Sequence, residues 1–296
     1  MSLQGKQHSI GVIGGSGLQG LQGLAHVEHI EIKTPYSDTP VNITTGQLGD
    51  VHVAFLQRHG VGHRVPPASI NVRANMAALK HIGCRQVLSL SAVGSLDENV
   101  APGTFVVVDQ FIDRTIQRQK TYFGPGLVGH VPFGDPTCAR MRDALINVSR
   151  EKALALRTSG TYVVMEGPQF STKAESNLYR QWGGTIIGMT GMPEAKLARE
   201  AEMCYAMVAM ATDYDCWFSG EPPVTASMIS ERMAKISASA NALVADATTY
   251  LSGVNGEDCQ CGCHRALDTA IMTAPAHRDP EMLSRFEFVV SRIRQI

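Results

Sequence analysis

Two aspartates stand at alternate positions just beyond the most apolar stretch of the chain. The stretch runs from Cys204 to Ala211, and Asp213 and Asp215 follow it. In a strand, the two-residue period places both side chains on one side. Paired acids at a strand end suit proton transfer or recognition of a cation, and a D-x-D pattern also binds Mg²⁺. A solvated loop that holds two aspartates is the alternative.

A glycine-rich loop near the start of the chain predicts an anion site. Residues 15–20 match the G-x-G-x-x-G pattern of dinucleotide-binding folds, but glycines interrupt the helix that such folds require. Because glycine lets backbone N–H groups turn toward a phosphate, and Ser16 adds a hydroxyl, anion binding is the better interpretation. A tight turn without a ligand stays open as the alternative.

Three further segments place chemically useful residues at the ends of predicted strands. Arg58 and His59 offer a guanidinium and an imidazole that suit a phosphate. Residues 89–96 form a turn of small residues, and residues 165–171 hold an acid, an aromatic ring and a hydroxyl in a Gly-Pro loop. Since open α/β sheets bind ligands at the carboxyl ends of their strands, we expect all five segments to form one site.

The elements that must position these residues alternate along the chain. Short β-branched runs and helical patterns follow one another, which is typical of a single α/β domain with a central mixed, largely parallel sheet flanked by helices. The predicted strands are Ser9–Ile13, Val51–Leu56, Gln86–Leu90, Thr104–Val108, Gly160–Val164, Thr185–Ile187 and Ala206–Ala211.

Capping residues and prolines predict the helix starts. These starts lie after Pro66-Pro67, at Asp135-Pro136, at Thr172, at Pro193-Glu194, at Thr225 and at Asp279-Pro280. A polar stretch at residues 252–258 is the one boundary-like segment. We therefore assign residues 1–252 to the main domain and residues 253–296 to a C-terminal appendage of the same domain, with a Cys-rich turn and a helix.

Long motifs from about Ile10 to Trp217 resemble those of the trimeric purine nucleoside phosphorylases. They read IGVIGGSGL, RHGVGH, NVRANMAALKHIGC, SAVGSL, DQFIDRT, EGPQFST, GMTGMPEAKLAREAEMCYA and MATDYDCW. The resemblance implies a pentosyltransferase in which phosphate attacks C1′ of a purine nucleoside and releases the base. An oxocarbenium-like transition state then requires an anion beside the ribose and relief of charge on the departing purine.

The resemblance also implies roles for individual residues, and it implies no metal ion and no cofactor, because inorganic phosphate is a co-substrate. The residues expected to bind phosphate are Ser16, Arg58, His59, Ser91, Ala92 and Thr190. Those expected around the nucleoside are Met165, Phe170, Ser171 and Met189. Asp213 and Asp215 are the expected catalytic pair, which recognises the base and assists its departure.

Two acids favour a 6-aminopurine, since a carboxylate accepts a hydrogen bond from N6 but repels the O6 of a 6-oxopurine. The expected reaction is phosphorolysis of 5′-methylthioadenosine to adenine and 5-methylthioribose 1-phosphate, a step of purine and methionine salvage. A phosphorylase of broader specificity, acting on purine nucleosides or methylthioinosine, is one alternative. A non-catalytic nucleotide-binding module is another.

The 5′ side of the nucleoside is where the resemblance is weakest. By resemblance, His130 reaches the 5′ pocket of a neighbouring subunit, which implies a homotrimer. Ala226 and Ile229, in the helix that begins at Thr225, are expected to contact the 5′ substituent. Ser227 and Ser230 are more polar than the family pattern, so the preference for a methylthio group over a hydroxyl stays open.

Composition excludes several other classes of protein. Of the 296 residues, 44% are hydrophobic and 18% are charged, and the formal net charge is -1. Such a chain is typical of soluble globular proteins and lacks the basic surface that binds nucleic acid. Its longest apolar run is far shorter than the ~20 residues of a membrane helix. We expect a cytoplasmic protein whose partners are a nucleoside and phosphate, without nucleic acid or membrane.

Three cysteines at alternate positions, Cys259, Cys261 and Cys263, raise the question of a metal site. Structural zinc usually has C-x₂₋₄-C pairs from two separate arms, and one C-x-C-x-C run does not easily surround an ion. We therefore expect reduced, inert thiols, with a labile disulfide or a metal site as alternatives. The remaining cysteines are expected to be small buried hydrophobic residues: Cys84, Cys138, Cys204 and Cys216.

Overall fold

An eleven-stranded mixed sheet forms the centre of the computed structural model, which describes residues 10–16, 18, 20–220, 224–253 and 259–296. The strands are β1 (Ile10–Gly14), β2 (Ala25–Thr34), β3 (Ser37–Leu48), β4 (Val51–Gln57), β5 (Gln86–Ser95), β6 (Phe105–Val107), β7 (Gln110–Asp113), β8 (Leu156–Arg157), β9 (Thr161–Val164), β10 (Ile186–Gly188) and β11 (Cys204–Asp213). Each predicted strand is present, although Ser9 lies outside the described residues.

The sheet is largely parallel, as predicted. Its main path runs β2-β3-β4-β1-β5-β10-β9-β7, and β11, β6 and β8 branch from β5. Parallel pairing joins β1 to both β4 and β5, β11 to β5, β9 to both β7 and β10, and β6 to β8. Because β1, β4, β5 and β11 are parallel, their carboxyl ends lie at one edge of the sheet.

Strand β5 is the element shared by the two parts of the sheet. Its first half pairs with β1 on one side and with β11 on the other, and its last residues pair antiparallel with β10. The antiparallel register matches Ile187 with Gly94. Counting onward along both strands brings Thr190, beyond the end of β10, back to Ser91, so two predicted phosphate residues become neighbours.

Six α-helices flank the sheet in the described part of the chain. They are α1 (Val72–His81), α2 (Ala139–Glu151), α3 (Lys173–Gln181), α4 (Glu194–Glu200), α5 (Ala226–Gly253) and α6 (Pro280–Glu287). The predicted caps of α3 and α6 are confirmed: Thr172 and Glu175 form a capping box, and Asp279 accepts a hydrogen bond from the backbone of Met282. None of these helices combines the length and hydropathy that a bilayer crossing requires.

The predicted start of α2 at Asp135-Pro136 is wrong, because the helix begins at Ala139 with Cys138 as its N-cap. The guanidinium of Arg199 donates to the carbonyl oxygen of Asp135 at 2.6 Å and to that of Pro132 at 2.9 Å. These bonds from α4 occupy the backbone that would otherwise open the helix. A tertiary contact therefore overrides the local capping pattern.

The antiparallel hairpin of β2 and β3 was not predicted from the sequence. Most of β2 is exposed, so it lacks the alternation of apolar and polar residues that marks a half-buried strand. Pro40 lies within β3, and proline weakens a strand prediction because it cannot donate to the ladder. The hairpin lies at the edge of the sheet, away from the strand ends considered below.

The C-terminal segment packs against the rest of the protein at two places. Leu267, Phe286 and Ile293 are fully buried in the same hydrophobic cluster as α1 and α4. Cys259 and Cys263 are buried in a second cluster with α2 and α5. Most of the boundary-like stretch at 252–258 lies outside the described residues, and the division of the domain at residue 252 stays a prediction.

Candidate active site

A cavity of about 360 Å³ opens at the carboxyl edge of the sheet. Its walls come from the ends of β1, β4, β5, β9, β10 and β11 and from the start of α5. The lining residues include Gly15, Ser16, Arg58, His59, His63, Ser91, Ala92, Gly94, Met165, Phe170, Met189, Thr190, Asp213, Asp215, Val224, Ala226, Ile229 and Ser230. The five segments singled out in the sequence therefore meet at one place. Of the residues predicted for the site, Ser171 and His130 are not part of this wall.

At one end of the cavity, Arg58 is held from behind by a buried acid. Its Nε lies 3.1 Å from Oε1 of Glu194, and its Nη2 donates to Oγ of Ser89 at 2.7 Å. Ser89 in turn donates to Oε2 of Glu194 at 2.8 Å, and the hydroxyl of Tyr205 donates to the same oxygen at 2.9 Å. These contacts fix the plane of the guanidinium, and Arg58 is only 3% exposed.

Two nitrogens of that guanidinium have no hydrogen-bond acceptor among the described residues: Nε, whose contact with Glu194 is an ion pair only, and Nη1. In the residues that the structure describes, no atom accepts a hydrogen bond from Nη1 of Arg58, although this nitrogen is buried. A Cβ added at Gly15 would lie 3.4 Å from it, so the glycine leaves space on that side. A buried cationic donor without an acceptor is costly, and a bound anion would supply the acceptor.

His59 is a neutral ring beside this cation. Its Nδ1 lies 2.9 Å from the carbonyl oxygen of Val65, which can only accept, so Nδ1 carries the proton. Burial lowers the pKa of His59 to about 4, and Arg58 and His63 contribute to the lowering. The ring is therefore neutral at pH 7, and its Nε2 is an acceptor. His63, which the sequence analysis did not single out, stacks on His59 with ring centroids 4.0 Å apart.

Hydroxyl groups from β5, from β9 and from the segment after β10 complete this polar end. Oγ of Ser91 lies 2.8 Å from Oγ1 of Thr190 and 3.2 Å from the hydroxyl of Tyr162. The backbone N–H of Thr190 also donates to the Tyr162 hydroxyl, at 3.4 Å. Ser91 and Thr190 line the cavity, whereas Tyr162 is fully buried behind them. The hydroxyls of Ser91 and Thr190 can turn their protons toward an anion.

The two aspartates lie at the other end of the cavity. Asp213 accepts hydrogen bonds from Oγ1 of Thr212 at 2.7 Å and from the backbone N–H of Asp215 at 3.0 Å, and Oγ of Ser176 donates to Asp215 at 2.5 Å. Burial raises the pKa of both carboxyls, and the proximity of Asp215 raises that of Asp213 further. A raised pKa is what a carboxyl needs to hold a proton near neutral pH.

The strand geometry predicted for this pair is wrong in one respect. The register of β11 against β5 shifts between Ala211 and Asp213, and the strand ends there. Asp215 lies in the following turn with φ at +32°, a strained conformation for a residue with a side chain. A bulge and a turn, rather than the two-residue period, bring both carboxyls to the cavity.

Gly94 on β5 makes room for the pair. A Cβ at this position would lie 3.0 Å from Oδ1 of Asp213 and 3.3 Å from Cβ of Asp215. A side chain at residue 94 would therefore displace the carboxyls. The sequence analysis placed Gly94 only in a turn of small residues.

Part of the cavity wall is apolar, because Met165, Phe170 and Met189 line it. Ser171 lies just behind, where its hydroxyl is 3.4 Å from Sδ of Met165. Arg118 was not predicted for the site, and its guanidinium donates to the carbonyl oxygen of Met189 at 2.7 Å and to that of Glu166 at 2.9 Å. Because Nε of Arg118 also pairs with the Glu166 carboxylate at 2.8 Å, that acid supports the loop and does not line the cavity.

His130 lies in a different surface groove, of about 500 Å³. Lys120, Phe123, Lys196 and Glu200 also line that groove. The backbone N–H of His130 donates to the carbonyl oxygen of Ala270 at 2.8 Å, which holds this segment against the C-terminal region.

Comparisons with known proteins agree on one family. The family model described as the phosphorylase superfamily matches residues 9–249. The S-methyl-5′-thioadenosine phosphorylase of Cereibacter sphaeroides is 48% identical over 284 residues, covering 96% of this chain and 98% of its own length.

Solved structures give the same result. A methylthioadenosine phosphorylase from an antarctic soil metagenomic library superposes with a TM-score of 0.88 at 42% identity, covering 96% of this chain and 100% of that one. The Schistosoma mansoni methylthioadenosine phosphorylase in complex with adenine gives a TM-score of 0.80 at 35% identity, over 84% of this chain and 92% of that one. The chain belongs to the phosphorylase superfamily and, within it, to the family of the S-methyl-5′-thioadenosine phosphorylases.

Proposed function

We propose that this protein catalyses the phosphorolysis of 5′-methylthioadenosine to adenine and 5-methylthioribose 1-phosphate. The observation that carries the proposal is the polarity of one cavity. A buried guanidinium with a free donor and several hydroxyls lie at one end, two buried carboxyls lie at the other, and apolar side chains line the same cavity. This arrangement suits a phosphate at the first end, the purine of a nucleoside at the second end and its ribose beside the apolar wall.

Phosphate binds at the Arg58 end. Nη1 of Arg58 donates to one phosphate oxygen, and the hydroxyls of Ser16, Ser91 and Thr190 and the backbone at Ala92 donate to others. His59, neutral with Nε2 as acceptor, takes a hydrogen bond from the protonated oxygen of the phosphate. A phosphate held in this way places an oxygen against C1′, and its charge stabilises the oxocarbenium-like transition state.

The purine leaves at the aspartate end. The Asp215 carboxylate accepts a hydrogen bond from the N6 amino group, and protonated Asp213 donates to N7 as negative charge develops on the departing base. Electrons of the C1′–N9 bond move to the purine, the Asp213 proton passes to N7, and the phosphate oxygen forms the new bond to C1′. Adenine and the ribose 1-phosphate are the products.

The first turn of α5 forms the wall at the 5′ substituent. Ala226 and Ile229 present apolar surface there, together with Val224. The hydroxyl of Ser230 donates to the carbonyl oxygen of Ala226 at 3.0 Å, and that of Ser227 lies 3.0 Å from Oγ1 of Thr225. Because both serine hydroxyls form hydrogen bonds within the helix start, they offer fewer polar groups to a ligand than the sequence suggests. The wall therefore favours a methylthio group over a hydroxyl.

The assembly belongs to the same proposal. His130 lies outside the cavity of its own chain. A homotrimer in which His130 closes the 5′ side of a neighbour's cavity accounts for that position. We further propose that the reaction uses no cofactor besides phosphate, and that the protein acts in the cytoplasm on these small molecules.

Product analysis tests the reaction. With 5′-methylthioadenosine and phosphate, we expect rapid formation of adenine and 5-methylthioribose 1-phosphate, and without phosphate we expect almost none. Adenosine and inosine, assayed in parallel, report on the 5′ group and on the base. Equal adenine release in phosphate-free buffer would identify a hydrolase. Faster turnover of inosine or methylthioinosine would establish a phosphorylase of broader specificity. The absence of turnover with any nucleoside would favour a non-catalytic nucleotide-binding module.

A further inference from the structure

Four cysteines from three separate parts of the chain meet outside the cavity. Sγ atoms of Cys138, Cys204, Cys259 and Cys263 all lie within 4.8 Å of one another, and all four residues are buried. Cys138 caps the start of α2, Cys204 begins β11, and the other two belong to the C-terminal turn. Cys138 and Cys204 are buried in a hydrophobic cluster, as predicted, and their thiols also lie beside two others. Cys216 is only partly buried, so the prediction of a buried residue is wrong there.

The arrangement meets the requirements of a tetrathiolate metal site. A zinc–sulfur bond is about 2.3 Å, so the sulfurs of a tetrahedral site lie roughly 3.8 Å apart, within the spacing of this cluster. Cys259 and Cys263 are separated by three residues, which is within the usual C-x₂₋₄-C spacing. Cys138 and Cys204 supply the second pair from separate elements, which the C-x-C-x-C run alone could not reveal.

The groups around the cluster suit a negatively charged centre. The backbone N–H of Cys263 donates to Sγ of Cys259 at 3.4 Å, and Nη2 of Arg140 donates to Sγ of Cys204 at 3.8 Å. Gly262 has a φ of +65°, a left-handed conformation that turns the chain between Cys261 and Cys263. Hydrogen bonds of this kind orient and stabilise coordinating thiolates.

We propose that Cys138, Cys204, Cys259 and Cys263 bind one zinc ion as a closed structural site. Each thiol loses its proton to solvent as its sulfur binds the ion, and no oxidant is needed. Zinc then joins the C-terminal turn to the first residue of β11 and to the cap of α2. Because four protein sulfurs fill the coordination sphere, no position remains open for a substrate.

Cys261 gives the matched control. Its Sγ lies 3.6 Å from that of Cys138, but it is not a member of the four-sulfur group and is partly exposed. Replacing Cys261 with Ser should therefore leave zinc bound. Cys84, fully buried on its own beside α1, is a control for the removal of any buried thiol.

The experiment measures metal and thiols on protein purified under reducing, anaerobic conditions. We expect one zinc per chain by elemental analysis, in the wild type and in Cys261→Ser and Cys84→Ser. The double variant Cys259→Ser/Cys263→Ser should lose the metal and melt at a lower temperature. Folded variants should keep phosphorolysis within about threefold at low temperature, because the active-site contacts lie elsewhere.

Metal-free protein must also be tested, since zinc can be lost in purification. Chelator-treated, reduced wild type should take up one equivalent of Zn²⁺, release protons and regain its melting temperature. Failure to take up zinc with all thiols reduced would overturn the proposal. Iron in place of zinc, or mass spectrometry showing disulfides among the four cysteines in the anaerobic preparation, would overturn it as well.

Discussion

The carboxylate of Glu194 lies 3.1 Å from Nε of Arg58, and both side chains are almost completely buried. Ser89 and Tyr205 donate to the remaining oxygen of the acid, so both carboxylate oxygens of Glu194 have partners. Nη1 of Arg58 has no acceptor among the described residues, and it lies near Gly15, which lines the cavity. Glu194 thus orients the group that binds phosphate in the proposed reaction, without contacting phosphate itself.

Removing the charge of Glu194 should impair both folding and phosphate use. Glu194→Gln leaves Arg58 as a buried cation without a counter-ion, and breaking one partner of a buried pair typically costs about 3–5 kcal/mol. We expect a lower urea midpoint and a higher KM for phosphate, measured with saturating nucleoside. Glu231→Gln, on an exposed position of α5, is the control and should change neither.

A double variant separates the two effects. Arg58→Met with Glu194→Gln removes both buried charges, so it should recover much of the lost stability while phosphate use stays poor. If Glu194→Gln alone matched the wild type in midpoint and in KM for phosphate, the positioning role of Glu194 would be wrong.

Asp213→Asn should lower kcat/KM for 5′-methylthioadenosine by roughly 10²-fold, the usual contribution of a general acid. An amide cannot deliver a proton to N7, but it can donate a hydrogen bond to O6 of a 6-oxopurine. The ratio of activities on adenosine and inosine should therefore narrow. Steady-state kinetics on both substrates measure it, with exposed Asp143→Asn as the control. Unchanged kinetics would place Asp213 outside the reaction.

Ser176→Ala should move the pH profile. The Ser176 hydroxyl donates to Asp215 at 2.5 Å and so favours the ionised carboxyl, whose pKa burial has already raised. Without this donor the pKa rises further, and a larger share of Asp215 is protonated at mildly acidic pH. Since the proposed role of Asp215 needs the carboxylate, the acidic limb of kcat/KM should shift to higher pH.

The matched control for that variant is Ser149→Ala, which removes a fully buried serine on α2. Ser149→Ala should not shift the acidic limb of the kcat/KM profile. A limb that stays fixed in Ser176→Ala, or that moves to lower pH, would contradict the role given to Asp215.

Mixed assemblies should test whether His130 acts across subunits. His130→Ala chains keep their own aspartates, and Asp213→Asn chains keep His130, so co-expression should build some complete sites and restore activity above either parent. Arg58→Ala with Asp213→Asn is the control pair: both residues line the cavity of one chain, so no site becomes complete. Restoration in neither pair would show that His130 is not shared.

Local patterns in the sequence were sufficient for the strand ends and for most of the cavity wall. Gly15, Arg58, Ser91 and Asp213 each follow a short apolar run, and parallel pairing necessarily brings such ends to one edge. The capping box of α3 was equally readable, because both of its partners lie within one turn. The exposed hairpin of β2 and β3 could not be predicted in this way, since most of β2 lacks an alternation of buried and exposed residues.

Contacts between residues that are distant in sequence could not be predicted. Glu194 looked only like the first residue of a helix, and Arg118 carried no local signal, yet they support the phosphate end and the Met189 loop. Cys138 and Cys204 are far from the C-terminal cysteines in sequence, so only the packing of α2 and β11 reveals their association. Such contacts depend on the packing of whole elements rather than on neighbouring residues.

Strand β5 fixes the distance between the two chemical ends of the cavity. Ser91 lies at the hydroxyl cluster and Gly94 at the aspartates, so three residues of extended backbone, about 10 Å, separate them. The same strand therefore sets the spacing that a nucleoside and a phosphate have to match in the proposed reaction. In the proposed reaction the 5′ substituent lies away from this strand, at α5 and the proposed His130 contact. Specificity at that position can diverge between related enzymes while the bond-breaking geometry stays unchanged.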